Sequence, residues 1–137
     1  MLALQVWKSG HAAQVNKGLA IIDKYPDLDY KSPDANLYAW YYETQACINA
    51  GGSHWQKWNK VYQDQLINNQ SPDGSWPFTG GSHPYAGGPT GKGADWDVYR
   101  TSLCTLMLEV FYRYLPSSKG AGSGGGTSGS SLTLPPR

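Results

Sequence analysis

Two pairs of aspartates have a spacing that could support acid chemistry. Asp27 and Asp29 follow a proline, and Asp95 and Asp97 precede a strongly apolar stretch. Two carboxyl groups held close together can divide proton donation from charge stabilisation, as they do in glycoside hydrolysis. Aspartates also suit the first turn of a helix, because the helix macrodipole favours negative charge there. Capping and solvation are the preferred interpretation of both pairs, and Asp95 and Asp97 are kept as candidates for catalysis.

Aromatic residues form the second set with chemical potential, because the negative face of a ring can stabilise or bind a cation. The candidate ligand-binding residues are Tyr38, Trp40, Tyr41, Tyr42, Trp96, Tyr99 and Arg100. The positive charge of Arg100 lies in an apolar segment and needs a partner, for which Glu43, Asp97 or a ligand anion would serve. Packing of the rings in a helical core is the preferred alternative to ligand binding.

The histidines and cysteines do not predict a metal site or a cofactor. His11, His54 and His83 lie far apart, without the short spacing to a cysteine that zinc sites have. Cys47 and Cys104 lie inside apolar stretches, which is typical of free buried thiols. The sequence therefore predicts no metal ligands and no cofactor.

The composition of the 137-residue chain indicates one domain with a low-complexity tail. A net charge of +1 gives no field for nucleic acid, so no nucleic-acid partner is predicted. No segment is long and apolar enough for a transmembrane span. The start lacks a signal-peptide pattern, which favours the cytoplasm unless the N-terminus is truncated. We expect residues 1–116 to form the helical domain and residues 117–137, rich in Gly and Ser, to be a flexible tail. The tail is either natural, as an interdomain linker would be, or a remnant of recombinant expression.

The elements that must position these side chains are predicted to be helices. Cap residues and helix breakers mark five of them, over about residues 2–8, 12–24, 33–50, 53–69 and 95–115. Ser32 is the expected N-cap of the third helix, with Pro33 in its first turn. Ser53 and Gln56 form a possible capping box for the fourth. A loop rich in Gly and Pro is predicted between the fourth and fifth helices, over one end of the bundle.

The apolar patterns of these helices differ. The fourth carries a one-sided stripe of Trp55, Trp58, Tyr62 and Leu66, which predicts an outer helix. The third and fifth are apolar or aromatic on most sides, so both are expected to be surrounded by protein. Alternation of half-buried and fully buried helices is what two concentric layers require. The pattern predicts an all-α fold with the layers of a partial α/α toroid, although a small helical bundle would also satisfy it.

A turn follows the fourth helix. The Asp73-Gly74 dipeptide favours a tight turn in which Gly takes positive φ, so Gln70 can leave the helix and Trp76 can return to the end of it. Gln70, Gly74 and Trp76 are therefore predicted to form a structural motif.

This spacing resembles the QW motif of the prenyltransferase and squalene-oxidase repeat family, in which the Gln and Trp tie outer helices together. Residues 36–46, the Gly51-Gly52 pair and residues 55–59 resemble an inner helix, turn and outer helix of bacterial squalene-cyclase-like proteins. Residues 98–103 and 108–116 resemble their closing inner helix. The resemblance implies a terminal fragment or truncated repeat module, because a closed toroid of this family has more helix pairs than this chain.

The same family contains terpenoid cyclases, which use a D-x-D-D acid motif. Here Tyr30 and Val98 stand where the last acid would be. We therefore expect a noncatalytic repeat module that binds the remaining repeats of a parent protein, a partner protein or a second copy. The alternative is a fragment of a terpenoid cyclase or prenyl-binding enzyme with an isoprenoid ligand and its acid elsewhere. A second alternative is an α/α-barrel carbohydrate-active enzyme using the aspartate pairs. A fragment of a ring is also expected to leave apolar surface uncovered.

Overall fold

Four α-helices and one short 3₁₀-helix make up the regular structure of the described residues. A computed structural model describes residues 3, 5, 12–24, 28–90 and 93–110. The helices are α1 (Ala12–Ile22), α2 (Leu37–Ala50), α3 (Gly52–Asn68) and α4 (Ala94–Leu108), with the 3₁₀-helix at Pro84–Ala86. These parts of the chain contain no strand, so the predicted all-α class is confirmed.

Three predictions lie partly or wholly outside the described residues. Within the predicted helix at 2–8, only Ala3 and Gln5 are described, and both are helical. The end of the fifth predicted helix and the whole Gly/Ser-rich tail also lie outside this range. Among the residues that are described, no helix is long and apolar enough to cross a bilayer.

The N-cap of helix α2 lies four residues later than the sequence predicts. Asn36 is the N-cap, and its side-chain oxygen accepts a hydrogen bond from the Ala39 N–H at 3.0 Å. The prediction of Ser32 as the cap is wrong, because Ser32 begins a separate turn that ends before the helix. Its hydroxyl accepts from the Asp34 N–H at 3.1 Å, and its carbonyl accepts from the Ala35 N–H at 3.0 Å. That turn places Asn36 at the start of the helix.

The reversal between α2 and α3 takes a single residue. The N–H of Gly51 still donates to the Cys47 carbonyl at 2.9 Å, and α3 begins directly at Gly52. The predicted capping box of Ser53 and Gln56 is therefore wrong, since Ser53 lies inside the first turn and no side chain caps this end. The abrupt reversal makes α2 and α3 packed neighbours, as in an αα-hairpin.

The core lies between α2, α3 and α4, with α1 packed against α2. Its largest buried side chains come from all four helices, the segment before α2 and the loop after α3: Leu19, Ile22, Tyr30, Leu37, Trp40, Trp55, Trp58, Tyr62, Leu66, Trp76, Leu103 and Met107. Two polar side chains of this core, Trp58 and Thr44, form a hydrogen-bonded chain. The Trp58 indole donates to the Thr44 hydroxyl at 2.8 Å, and that hydroxyl donates to the Trp40 carbonyl at 2.7 Å. Both polar groups are thus buried at little desolvation cost.

Burial of the helices matches one prediction and contradicts another. Helix α3 buries one stripe, the predicted Trp55, Trp58, Tyr62 and Leu66, which confirms its one-sided pattern. Helices α2 and α4 are not surrounded by protein. Tyr38 and Tyr42 on α2 and Val98 on α4 are exposed. The apolar character that predicted full burial instead leaves a second apolar face open to solvent.

Apart from the 3₁₀-helix, residues 69–90 form a loop, as predicted, and this loop is bound closely to the helices. The Tyr30 hydroxyl donates to the Pro77 carbonyl at 2.8 Å, and the Gly80 N–H donates back to the Tyr30 carbonyl at 2.9 Å. Within the loop, the Thr79 N–H donates to the Gly87 carbonyl at 2.9 Å. These bonds hold the 3₁₀-helix against α2.

Candidate functional site

Five aromatic rings from three elements lie together at the surface. We define them as the aromatic patch: Tyr38 and Tyr42 from α2, Tyr85 from the 3₁₀-helix, and Trp96 and Tyr99 from α4. Tyr38, Tyr42 and Tyr85 are 48%, 42% and 55% exposed, while Trp96 and Tyr99 are half-buried. Singly exposed apolar residues are common on proteins, but contiguous ones mark binding sites.

The rings of the patch contact one another edge to face. Tyr38 and Tyr42 have ring centroids 4.8 Å apart with planes at 66°. Tyr85 and Trp96 are 5.4 Å apart at 78°, and Trp96 and Tyr99 are 5.5 Å apart at 80°. Each pair has the T-shaped geometry that the ring quadrupole favours. The patch is therefore ridged, with ring edges and ring faces side by side, and is not a flat platform.

Tyr99 is the ring of the patch that contacts both Tyr85 and Trp96. Partial burial raises the pKa of the Tyr99 hydroxyl, and the neighbouring hydroxyls of Tyr38, Tyr85 and Tyr42 raise it further. The Tyr99 hydroxyl also reaches the Tyr85 carbonyl, with an oxygen-to-oxygen distance of 3.4 Å. Since α2 contacts both α4 and the 3₁₀-helix, the Tyr38–Tyr42 pair and the group of Tyr85, Trp96 and Tyr99 lie on neighbouring elements.

The patch includes four of the six aromatic residues that the sequence singled out. Tyr41 is half-buried beside it, with its ring 5.1 Å from that of Tyr42. Trp40 lies instead in the core, only 5% exposed and in edge contact with Tyr30. Sequence reasoning missed Tyr85 because it lies in a loop rich in Gly and Pro. Its position after a Pro, where short helical turns begin, was the available signal.

His83 supports Tyr85 from one side. The two rings stack 5.2 Å apart with planes at 20°, and the His83 Nδ1 accepts the Tyr85 N–H at 3.3 Å. His83 thus caps the 3₁₀-helix with its Nδ1 atom and orients the most exposed ring of the patch.

Arg100 is occupied by protein groups. It is 4% exposed and forms an ion pair with Asp97, one of the three partners that the sequence left open. Its Nε donates to the Trp76 carbonyl at 3.3 Å, and its guanidinium lies 4.3 Å from the centroid of the Phe78 ring. These contacts fasten the loop to α4, so the side chain has a structural task.

The described aspartates of the two candidate pairs have local roles. Asp95 and Asp97 lie in the first turn of α4, where negative charge stabilises the helix, and Asp97 also pairs with Arg100. Asp29 accepts the Lys31 N–H at 2.9 Å in a turn. Asp27 lies outside the described residues. The geometry thus gives Asp29 a turn-stabilising role and Asp97 an ion pair, while Asp95 lies in the first turn of α4.

The thiols and histidines are similarly placed for structure. Cys47 and Cys104 are buried free thiols, and burial raises the pKa of Cys47 to about 12 and that of Cys104 well above its usual range. The Nδ1 of His54 on α3 lies 2.9 Å from the Asp23 carboxylate, which follows α1. Among residues 12–24, 28–90 and 93–110, no group of three His, Cys, Asp or Glu side chains is arranged to hold a metal ion.

The predicted Gln–Trp motif folds as a turn on the end of α3. The Gln70 amide donates to the Gly74 carbonyl at 3.0 Å, and Gly74 has a φ of 87°. The Trp76 indole donates to the Leu66 carbonyl at 2.8 Å. Trp76 thus has its side chain at the end of α3. Its backbone carbonyl then extends the connection to Arg100 on α4.

Comparison with protein-family models gives no match for this chain, and comparisons with curated proteins and with solved structures give none either. The likeness to squalene-cyclase-like repeats therefore stays a prediction from the sequence.

Proposed function

We propose that this chain is a noncatalytic helical repeat module that binds a partner protein or domain through the aromatic patch. The observation that carries the proposal is the exposure of Tyr38, Tyr42 and Tyr85 on neighbouring elements, with Tyr85 in ring contact with the half-buried Trp96 and Tyr99. Tyrosine and tryptophan are enriched in protein interfaces, where they provide large contact area at small entropic cost.

The rest of α2 and α4 supports this assignment. Helix α2 already buries Leu37, Trp40 and Cys47, and α4 buries Leu103 and Met107. On α2 the exposed Tyr38 and Tyr42 lie on the side away from these buried residues, so the core does not account for them. On α4 the half-buried Tyr99 packs against the core, and Val98 is the exposed apolar residue. A second apolar face on a helix with a complete core contact is what a partner-binding surface requires.

We further propose the arrangement of a partial α/α toroid, with α2 and α4 as inner helices. In such an arrangement the open faces of α2 and α4 would meet helices supplied by the remaining repeats. The resemblance of residues 36–46 and 98–103 to inner helices supports this arrangement. The structural tasks of Asp95, Asp97 and Arg100 support a noncatalytic role.

A fragment of a prenyl-binding enzyme is the second candidate function. The exposed rings of the patch favour it, since they could pack on an isoprenoid chain or stabilise a cation. In this case the ligand would be an apolar small molecule and the acid would be supplied by another segment or chain.

Photo-crosslinking tests the partner-binding proposal. A benzophenone amino acid replaces Tyr42 in the patch or Ile67 on α3 as a matched control, since Ile67 is 59% exposed and outside the patch. We expect one specific adduct from position 42 in cells, and none from position 67. The purified adduct partner should then bind the chain, and Tyr42→Lys should weaken that binding by about tenfold or more.

Equal crosslinking from both positions, or binding that Tyr42→Lys leaves unchanged, would contradict the proposal. Farnesol and longer polyprenols separate the second candidate. If they stabilise the wild-type chain against heat and the Tyr42→Lys variant does not respond, the patch binds isoprenoids.

A further inference from the structure

Residues 132–137 form a short segment suited to an aromatic surface. They read LTLPPR, follow the Gly/Ser-rich stretch and lie outside the described residues. The two consecutive prolines in this sequence favour the polyproline II conformation, since each ring fixes φ near −65°. The carbonyl groups of such a helix have no internal partners and are free to accept hydrogen bonds.

The aromatic patch has the features that recognise this conformation. Proline-rich segments dock into grooves between aromatic side chains, with the proline rings against the ring faces. The ring planes of Tyr85, Trp96 and Tyr99 are nearly perpendicular to one another, so ring edges alternate with ring faces on this surface. The hydroxyls of the exposed Tyr38 and Tyr42 are on the same surface and can donate to peptide carbonyls.

Charge complementarity orients the segment, with Arg137 directed toward Asp95. Asp95 is exposed in the first turn of α4, directly before Trp96 of the patch. Arg137 follows the two prolines immediately. A prolyl pair packed on Trp96 and Tyr85 would place the Arg137 guanidinium within reach of the Asp95 carboxylate, an exposed pair of modest strength.

The chain is long enough to bring the two together. If α4 continues to residue 115, as the sequence predicts, the distance along the helix back to Trp96 is about 29 Å, at about 1.5 Å per residue. The stretch 116–131, rich in Gly and Ser, has a root-mean-square length of about 22 Å as a flexible linker and a maximum of about 50 Å. Since the typical length is close to the span, the effective concentration of the segment at the patch is near millimolar.

We propose that residues 132–137 dock in a polyproline II conformation on the aromatic patch of their own chain. The proposal rests on the proposed function in that the patch is the partner-binding surface. The docked segment covers Tyr85 and Trp96, and a partner must displace it. The segment is thus an internal competitor whose release increases access to the patch.

A spin label on the full chain tests this directly. Ser131→Cys supplies the attachment site, and a nitroxide methanethiosulfonate reacts with it selectively because Cys47 and Cys104 are buried thiols with raised pKa values. The matched control carries the same label with residues 135–137 changed to glycine. We expect paramagnetic broadening of the NMR signals of the Trp96 indole and the Tyr85 amide. In the glycine variant the broadening should be smaller by about threefold or more, because the segment no longer docks near these groups.

Two outcomes would overturn the proposal. Broadening that is equal in the labelled chain and its glycine variant would show contact by the linker without docking. Broadening that occurs only between a labelled chain and a separate isotope-labelled chain would make a second copy the occupant. The readout needs no partner, so it can succeed or fail independently of the crosslinking at position 42. Where crosslinking succeeds, the glycine variant should also give the higher yield.

Discussion

The indole N–H of Trp76 donates to the carbonyl oxygen of Leu66 at 2.8 Å, ten residues earlier in the chain. Leu66 lies in the last turn of α3, where carbonyl groups have no partner within the helix. The indole therefore satisfies a helix end and buries its own ring, which is 3% exposed. This bond secures the loop from which the Tyr85 ring of the aromatic patch projects.

Replacing Trp76 with Phe should destabilise the chain by about 2–4 kcal/mol, because the change removes ring volume from the core and leaves the Leu66 carbonyl without its donor. Urea unfolding followed by circular dichroism measures this loss. Gln70→Ala is the matched control in the same turn, since its bond to the Gly74 carbonyl is exposed and worth about 1 kcal/mol or less. Equal losses in the two variants would contradict the assignment of the indole as the main anchor.

Gly80→Ala should be more damaging than Gly74→Ala, although only Gly74 has a positive φ. A Cβ at Gly80 would overlap the carbonyl oxygen of Lys31, which belongs to the rigid backbone, so the loop would have to move away from the segment before α2. A Cβ at Gly74 meets open space, and its cost is the φ of 87° alone, about 1 kcal/mol.

Thermal unfolding of the two variants distinguishes these mechanisms. We expect the Gly80→Ala melting temperature to fall by more than twice the change in Gly74→Ala, since overpacking against backbone costs about 1–3 kcal/mol or more. If Gly74→Ala were the more destabilised of the two, backbone conformation and not the close approach to Lys31 would control the loop.

The sequence predicted local features of this fold better than its surfaces. The Asp73-Gly74 turn, the α3 stripe and the end of α2 at Gly51 depend on nearby residues, and each was found. The start of α2 was not, because Ser32 and Asn36 are both good caps. Tertiary bonds at Tyr30 decide between the two caps: its N–H donates to the Gln65 side chain, and its carbonyl accepts from the Gly80 N–H.

For the aromatic patch, the sequence predicted which residue types could take part but not which of them are exposed. Tyr38, Tyr42, Trp96 and Tyr99 were chosen by residue type, which cannot separate a core ring such as Trp40 from an exposed one. On a helix that is apolar on most sides, periodicity does not identify the open face. Tyr85 reaches the patch through the folded loop, and loop geometry depends on long-range bonds that no sequence pattern records.

Asp97→Asn should reduce stability more than Asp95→Asn, although both aspartates are in the first turn of α4. Asp97 neutralises Arg100, which is 4% exposed, while its own side chain is 63% exposed. Solvent screening of the carboxylate limits the loss to about 1–2 kcal/mol, below the value for a fully buried pair. Asp95→Asn should cost at most about 0.5 kcal/mol, from the helix dipole.

Chemical unfolding at neutral pH, repeated in about 1 M salt, measures the difference between the two aspartate variants. The Asp95 effect should nearly vanish in salt, because an exposed charge is screened. The Asp97 effect should largely persist, since Arg100 remains buried. A loss at Asp97 that disappears in salt would show that the pair behaves as a surface interaction.

Alkaline pH should unfold the chain, because four buried acids hold their protons in the folded state. Burial raises the pKa of Cys47 and Cys104 from the usual 9.0, and of Tyr30 and Tyr62 from the usual 10.0. Above these usual values the unfolded chain loses protons that the folded chain keeps. Stability is therefore unaffected by these groups below about pH 9 and falls as pH rises further, by about 1.4 kcal/mol per pH unit for each group.

Tyr62→Phe isolates one of these four contributions. The variant loses the hydrogen bond from the Tyr62 hydroxyl to the Met107 carbonyl, so it should be about 1 kcal/mol less stable than wild type at neutral pH. Between about pH 10 and pH 12 its stability should fall less steeply, by about 1.4 kcal/mol per pH unit, since one proton no longer separates the two states. Urea unfolding at several pH values gives both slopes. Parallel slopes for variant and wild type would mean that the Tyr62 hydroxyl ionises in the folded chain as readily as in the unfolded one.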